Sequence, residues 1–401
     1  MALRPGMILA TAGLLAIGSP AAFGAATPPA RVISRGDGAL QRGVWQVDFE
    51  TKDREADPWF GADLRVVFTR PDGTEVAAEG YFAGTNTWSC RAYVAQPGNW
   101  TWRSVANRPA LDGRSGAFTV RPSDLPGKLR KHPDDPRQFA LDNGEWFLHL
   151  GDTGYRFLVD TEPEWKAYVD QAAEAGFTKI RAWTCRSRGG VEAYFTGDRG
   201  ALDLAFWDEM ERRLVYALER HPRLQIQFIL YGEDTAELLR YGAGDRMAHL
   251  VARYAQARFS AFPNVHWCIS NDRFITAKPG PNNVAPGIID RIGRDLRARE
   301  PWGTLLTNHQ RRFEGYSFVE AEWSDIITLE DRDQAAGARI LEYRARAKDD
   351  PVVLDEDRYG LYISPRHDRF FFRRLMWASL LGGGHATYGG QIGRASCRER
   401  V

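Results

Sequence analysis

From about Val32 to Val120 the chain alternates apolar and polar residues in short runs: VWQVDFE, LRVVFTR, EGYFAG, WSCRAYVA, NWTWRSVA and GAFTV. A period of two sends successive side chains to opposite faces, so each run reads as a half-buried strand. Turn chemistry separates the runs: PDG at Pro71 to Gly73, QPGN at Gln96 to Asn99, and LDGRSG at Leu111 to Gly116. Short strands at this spacing, with no helical period between them, predict a small antiparallel, immunoglobulin-like β-sandwich over residues 31–122. Trp88, Trp100 and Trp102 are read as its core rather than as a sugar-stacking face, because a ring that large is usually buried.

A Pro-rich connector, RPSDLPGKLRKHPDDP (121–136), runs into the linker expected at 123–137, and beyond it the pattern changes. Apolar strand-like runs now alternate with helices whose apolar positions recur at three and four, such as EPEWKAYVDQAAEAG, FWDEMERRLVYALER, DRMAHLVARYAQARF and HDRFFFRRLMWASLL. The strands are FLHLGD (147–152), KIRAWTC (179–185), QIQFILYG (225–232), VHWCISND (265–272), GTLLTNH (303–309), IITLED (326–331), PVVLDED (351–357) and GGHATYGG (383–390). Eight strands with helical crossovers predict an α/β fold, a (β/α)8 TIM barrel over 138–390, cut off after its eighth strand. No GxGxxG follows any strand, so a dinucleotide-binding sheet is not expected.

The two ends do not follow either pattern. Residues 1–26 carry Arg4, an apolar run from Met7 to Ile17 and then small residues, the layout of a signal peptide whose apolar run is too short to span a bilayer as a mature helix. A secreted or periplasmic protein is expected. The tail QIGRASCRERV (391–401) has no apolar period and resembles the peptide obtained when a sequencing adapter is read through in frame, so it is expected to be non-native. Formal net charge over the 401 residues is +1 and basic residues are not clustered, which argues against a nucleic-acid or anionic-membrane partner. Four cysteines, Cys90, Cys185, Cys268 and Cys397, show neither CxxC pairing nor regular spacing. No disulfide framework, metal or cofactor is therefore expected, and Cys185 and Cys268 read as buried thiols.

Active sites of such barrels lie where the strands end at their C-terminal face. The residues closing the strands are Asp152, Arg181 with Trp183, Tyr231 with Glu233, Asn271 with Asp272, His309, Glu330 with Asp331, Asp355-Glu356-Asp357, and His385 with Tyr388. Carboxylates, planar amide and imidazole groups and aromatic platforms together form the chemistry of a carbohydrate site. Glycosidic hydrolysis needs one acid to protonate the leaving oxygen and a second carboxylate to attack or to activate water. Strands four and seven supply such a pair. Alternation along strand seven turns Glu356 away from Asp355 and Asp357, and an earlier end to that strand makes Asp355 the inward acid instead.

These motifs resemble those of the apiosidase-like glycoside hydrolases. Asn264-Val265-His266-Trp267 running to Asp272-Arg273, and Pro351-Val352 running to Glu356-Asp357-Arg358-Tyr359, are similar to that family's fourth and seventh strands. The opening HLGDTGYRF and the late LLGGGHATYG fit as well. The β-region resembles a small domain often fused ahead of such barrels through its GYFAG, NTWSCRAY and PGNWTWRS, and together the likeness covers about residues 32–390. The resemblance implies an extracellular glycosidase with Asp272 as acid/base and Glu356 as nucleophile. Asp152, Arg181, Trp183, Tyr231, Asn271, His309, Tyr359, His385 and Tyr388 are the expected substrate-binding residues. A catalytically silent sugar-binding or adhesion protein on the same scaffold is the alternative, favoured if the two acids point apart.

Overall fold

The computed structural model describes residues 32–52, 56–184, 190–332, 334–347, 349–359 and 369–389. The leader, Cys185, Cys397 and the tail from Gln391 lie outside the described residues.

The first pattern forms two sheets. One orders Ile33–Ser34, Val44–Glu50, Thr87–Tyr93 and Tyr81–Gly84; the other orders Gly38–Leu40, Ser115–Arg121, Gly98–Ala106, Leu64–Thr69 and Glu75–Glu79. Most pairs are antiparallel as expected. The two shortest strands are not: Ile33–Ser34 runs parallel to Val44–Glu50, and Gly38–Leu40 parallel to Ser115–Arg121. They are successive turns of one chain crossing from sheet to sheet, too short to show a period of their own. Trp88 and Trp100 are buried, and Trp102 packs edge-on against Phe49. Trp88 and Trp100 belong to the core, and Trp102, half-buried, packs against it.

The second pattern forms a wholly parallel sheet of eight strands. They are β1 (Leu150–Thr153), β2 (Lys179–Trp183), β3 (Gln225–Ile229), β4 (Val265–Cys268), β5 (Leu306–Thr307), β6 (Ile327–Glu330), β7 (Val352–Glu356) and β8 (His385–Tyr388). The order β5-β4-β3-β2-β1-β8-β7-β6 is that of a (β/α)8 barrel. At the seam, the Asp325 amide donates to the Leu306 carbonyl at 2.9 Å and Thr307 Oγ1 to that of Ile326 at 2.6 Å.

Helices α1 (Glu162–Glu174), α2 (Leu204–Arg220), α3 (Thr235–Gly242), α4 (Arg246–Phe259), α5 (Pro286–Arg299), α6 (Ala338–Arg346) and α7 (Arg369–Leu381) fill the connections. Local chemistry starts them where they start. Asp203 accepts from the Ala205 amide, Asp245 from that of Ala248, and Thr161 with Glu164 forms a capping box, each satisfying amides that a first helical turn leaves without partners.

Strand alternation sorts the barrel into layers. Ile180, Ala182, Ile226, Phe228, Trp267 and Leu354 face outward and join the core beneath the helices. Inward and low, Leu305, Ile326 and Val353 pack on a three-stranded plug of Leu129–Lys131, Phe139–Leu141 and Trp146–Phe147. The connector expected as linker thus contains a strand, and buried Lys128 anchors it by donating to the Phe262 carbonyl and Thr304 Oγ1, each at 2.9 Å. The run FLHLGD also divides: Phe147 belongs to the plug, and the barrel strand begins at Leu150.

The two β-layers and the barrel form one compact unit. Arg91 of the sandwich reaches Glu211 at 2.5 Å and the Arg258 carbonyl at 2.8 Å. Tyr254 of α4 donates to the Phe82 carbonyl at 2.9 Å.

Candidate active site

At the C-terminal end of the barrel, Glu356 accepts two hydrogen bonds on Oε2, from Arg181 Nη1 at 2.6 Å and from Tyr155 Oη at 2.9 Å. Arg181 Nη1 also donates to Tyr155 Oη at 2.7 Å, and its other terminal nitrogen donates to Asn271 Oδ1. Tyr155 stacks on Trp183 with ring centroids 4.1 Å apart, an aromatic wall beside the carboxylate. Tyr155 was not among the candidates; the signal was its place in GYRF, directly after β1. Tyr359 lies near enough to act on the charge of Arg181.

The ambiguity between Asp355 and Glu356 is resolved by a bulge. Leu329 pairs with Leu354 and Glu330 with Glu356, so the ladder skips Asp355 and both acids turn toward the barrel axis. Asp355 sits one layer lower, where it accepts from Lys179 Nζ and, at 2.5 Å, from Thr387 Oγ1. Burial alone would raise Asp355, yet the two cations Lys179 and Arg181 hold it well below the usual carboxylate range. Lys179 faces one anion and a like-charged Arg181, and burial draws it down to about 8. Asp357 turns outward and accepts from the Gln334 amide at 2.8 Å.

Strand β4 ends at Cys268, so Asn271 and Asp272 belong to the loop after it rather than to the strand. Asp272 adopts φ +48°, a left-handed conformation in which Asp is among the better-tolerated side chains. Arg273 pins that turn: it donates to the Asn271 carbonyl at 3.0 Å and to Thr235 Oγ1 at 2.8 Å, and reaches Glu233 at 3.1 Å. Asp272 Oδ1 thereby lies 3.2 Å from His309 Nδ1. Asn271 Nδ2 lies 3.4 Å from Glu233 Oε1. Burial and the neighbouring Asp272 carboxylate push Glu233 up to about 7.

One donor atom each from Asp272, His309, Glu330 and Glu356 lies within 4.8 Å of the others. The spacing alone would admit a cation. Arg181 lies 2.6 Å from Glu356 and Arg312 2.9 Å from Glu330, so two of the three carboxyls already have a guanidinium beside them. Glu233 and Glu330, which close strands three and six, join the site without having been assigned a role there, and Arg312 joins it without any sequence signal.

Arg181, Trp183, Asn271, Asp272, His309, Glu356 and Tyr359 are therefore brought together, and four other expected binding residues are not. Asp152 accepts from Tyr168 of α1 at 2.6 Å, on the outer side of β1, and burial pushes it up to about 8. Tyr231 donates to the Ala248 carbonyl at 2.9 Å, under α4. His385 lies low against Phe139 and His149, its ring held at about 4 by burial and hence neutral. Tyr388 packs on Phe177 and Phe372. In each case the strand's alternation or the height of the residue along it takes the side chain out of the mouth.

A family model described as "Apiosidase-like, catalytic domain" matches residues 133–392, and a "Domain of unknown function (DUF5060)" model matches 41–107. The chain belongs to the apiosidase-like family. It is thus a glycosidase built as a TIM barrel behind an N-terminal β-region. A glycoside-hydrolase candidate from Bacteroides vulgatus ATCC 8482 shares 19% identity over 89% of this chain and 75% of its own, with a TM-score of 0.74. A family 5 glycoside hydrolase from the same organism shares 20% identity over 66% of this chain and 62% of its own, with a TM-score of 0.53. The endo-1,4-beta-mannanase of Rhizomucor miehei shares 13% identity over 68% of this chain and 96% of its own, with a TM-score of 0.51. Likeness at these identities concerns the fold. No curated protein matches the chain.

Proposed function

We propose that this protein is an exported glycosidase that cleaves O-glycosidic bonds of an extracellular, plant-type polysaccharide or oligosaccharide by a retaining mechanism. Glu356 is the nucleophile and Asp272 the acid/base. The observation that carries the reading is their separation: their nearest oxygens lie within 4.8 Å, and both belong to the C-terminal mouth of the barrel. Retaining glycosidases hold their carboxyl groups about 5–5.5 Å apart, whereas inverting ones leave about 6.5–9.5 Å for a water. Acids this close also favour an enzyme over a silent sugar binder.

In the first half-reaction Glu356, oriented by Arg181 and Tyr155, attacks the anomeric carbon while a proton delivered through Asp272 lets the leaving oxygen depart. In the second, Asp272 takes a proton from water, which displaces the Glu356 ester and restores the sugar's configuration. Asn271, held by Arg181, and the Tyr155–Trp183 wall orient the ring. The domain arrangement proposed with this function is a signal peptide at 1–26, an accessory sandwich at 31–122, a connector at 123–137 and a catalytic barrel at 138–390. The connector's strand makes it part of the barrel floor.

The test is a screen of the purified protein on pectic oligosaccharides and aryl glycosides, with Glu356→Gln as control and proton NMR of the first-formed sugar. Hydrolysis by the wild type alone, releasing sugar of unchanged anomeric configuration, is expected. Inverted product, or equal hydrolysis by the Gln variant, refutes the assignment.

A further inference from the structure

The reaction needs a proton donor, and Asp272 alone is a poor one. Burial would raise its carboxyl, but the His309 ring 3.2 Å away and the charge of Arg181 override burial and hold it at about 2. A group in that state is anionic at neutral pH and has no proton to give.

Glu330, the last residue of β6, answers the need by its position. Its side chain is 1% exposed, against 28% for Asp272, so one carboxyl is sealed and its neighbour faces the mouth. Glu330 Oε2 accepts from the Arg312 amide at 2.9 Å, and Arg312 Nε lies 2.9 Å from Oε1. One oxygen of the Asp272 carboxyl and one of the Glu330 carboxyl lie within 4.8 Å of each other. Among the described residues, Asp272 Oδ1 and Glu330 Oε1 have no well-aligned donor. Two carboxyls this close in a sealed site disfavour carrying both charges at once, which favours a pair that shares one proton.

We propose that Glu330 is a positioning residue that stores the proton Asp272 delivers to the glycosidic oxygen, and that takes it back when water attacks. The proposal rests on the reading of Asp272 as acid/base. In the first step the Glu330 O–H bond breaks, the proton passes through Asp272 to the leaving oxygen, and the C–O bond to that oxygen breaks as Glu356 bonds the anomeric carbon. Glu330 is left anionic beside Arg312. In the second step water's oxygen bonds the anomeric carbon, the Glu356 ester opens, and water's proton returns through Asp272 to Glu330, closing the cycle. Burial and the carboxylates of Glu356 and Asp272 push Glu330 up to about 10, consistent with storage. Among the described residues, the charged or titratable groups around the pair are Arg312, His309, Glu356, Arg181, Arg273 and, beyond Asp272, Glu233.

Two measurements test this, on wild type, Glu330→Gln and Asp272→Asn, each checked by its melting curve. Infrared difference spectra of the sugar-free protein should show a protonated carboxyl at pH 7 that is absent from Glu330→Gln and shifted, not lost, in Asp272→Asn. Its absence from the wild type overturns the proposal, whether or not a substrate is in hand. On aryl glycosides, Glu330→Gln should lose about 10²-fold or more with phenol leaving groups, as expected for lost general-acid catalysis, yet less than about 10-fold with dinitrophenol. Its alkaline limb should also move to lower pH. Equal losses on both leaving groups with an unmoved pH profile overturn the proposal. If the wild type cleaves no glycoside at all, the hydrolase reading fails instead, and the infrared band alone decides whether the pair shares a proton.

Discussion

Replacing Lys179 by Met removes the cation beneath the active site and should destabilise the fold substantially. Lys179 and Asp355 are 0% and 1% exposed in their side chains, so the variant leaves a carboxylate that water cannot reach. Breaking a buried pair by deleting one partner costs about 3–5 kcal/mol. Two contacts remain to Asp355: Thr387 Oγ1 at 2.5 Å and Arg181 Nε at 3.8 Å. At an effective dielectric of about 20, a unit charge at that second distance attracts by about 4 kcal/mol, but Arg181 is shared with Glu356. The loss should therefore fall at the low end, about 3 kcal/mol, a large part of a net stability of about 5–15 kcal/mol. Asp355 keeps its folded-state affinity for protons low, so its contribution is present above its unfolded value of 3.8 and is lost as pH falls through the lower folded value. In the variant the lone acid should bind a proton more readily, so the deficit should shrink from pH 7 to pH 4. Urea unfolding at both pH values, with unchanged slope, measures this. The double variant Lys179→Met/Asp355→Leu should recover most of the loss. A deficit under about 1 kcal/mol at pH 7, or one that grows on acidification, refutes the reasoning.

Tyr155→Phe deletes one hydrogen bond to the Glu356 carboxylate, worth about 1.5–3 kcal/mol, and should lower kcat/KM by roughly 10- to 100-fold with little change in melting temperature. Glu233 is raised to about 7, so its contribution to stability is full below the unfolded value of 4.5 and is lost as pH rises through about 7. Glu233→Gln should accordingly gain on wild type between pH 4 and pH 8, by on the order of 3 kcal/mol, measurable as diverging melting curves. Arg91→Met should cost about 3 kcal/mol in urea unfolding, because among the described residues Glu211 then keeps only Arg258 as its cation.

The barrel was legible because its parallel strands are buried on both faces and appear as runs such as QIQFI and PVVLD between amphipathic helices. Arg181 and Trp183 were legible too, since alternation from Lys179 carries both inward near the mouth. What the pattern cannot express is height and register. Phe147 and Leu150 lie in one apolar run, yet Leu148 and His149 belong to no strand and separate floor from wall. His385 and Asp152 occupy ends of strands by sequence, but one lies too low and the other faces α1. Glu356 enters the site only because a bulge at Asp355 interrupts the alternation. The left-handed turn that aims Asp272 depends on Arg273 reaching back across the loop, a contact that no local signal announces.

The central claim is that Glu356 carries the sugar between the two half-reactions, and the most direct measurement is to trap it there. An activated 2-deoxy-2-fluoro glycoside of the sugar found by the screen slows the second step more than the first, so the covalent form accumulates. Intact-mass spectrometry should show one added glycosyl group, and peptide mapping should assign it to Glu356. An adduct on Asp355 or Asp357, or turnover with inversion and no adduct, would contradict the account.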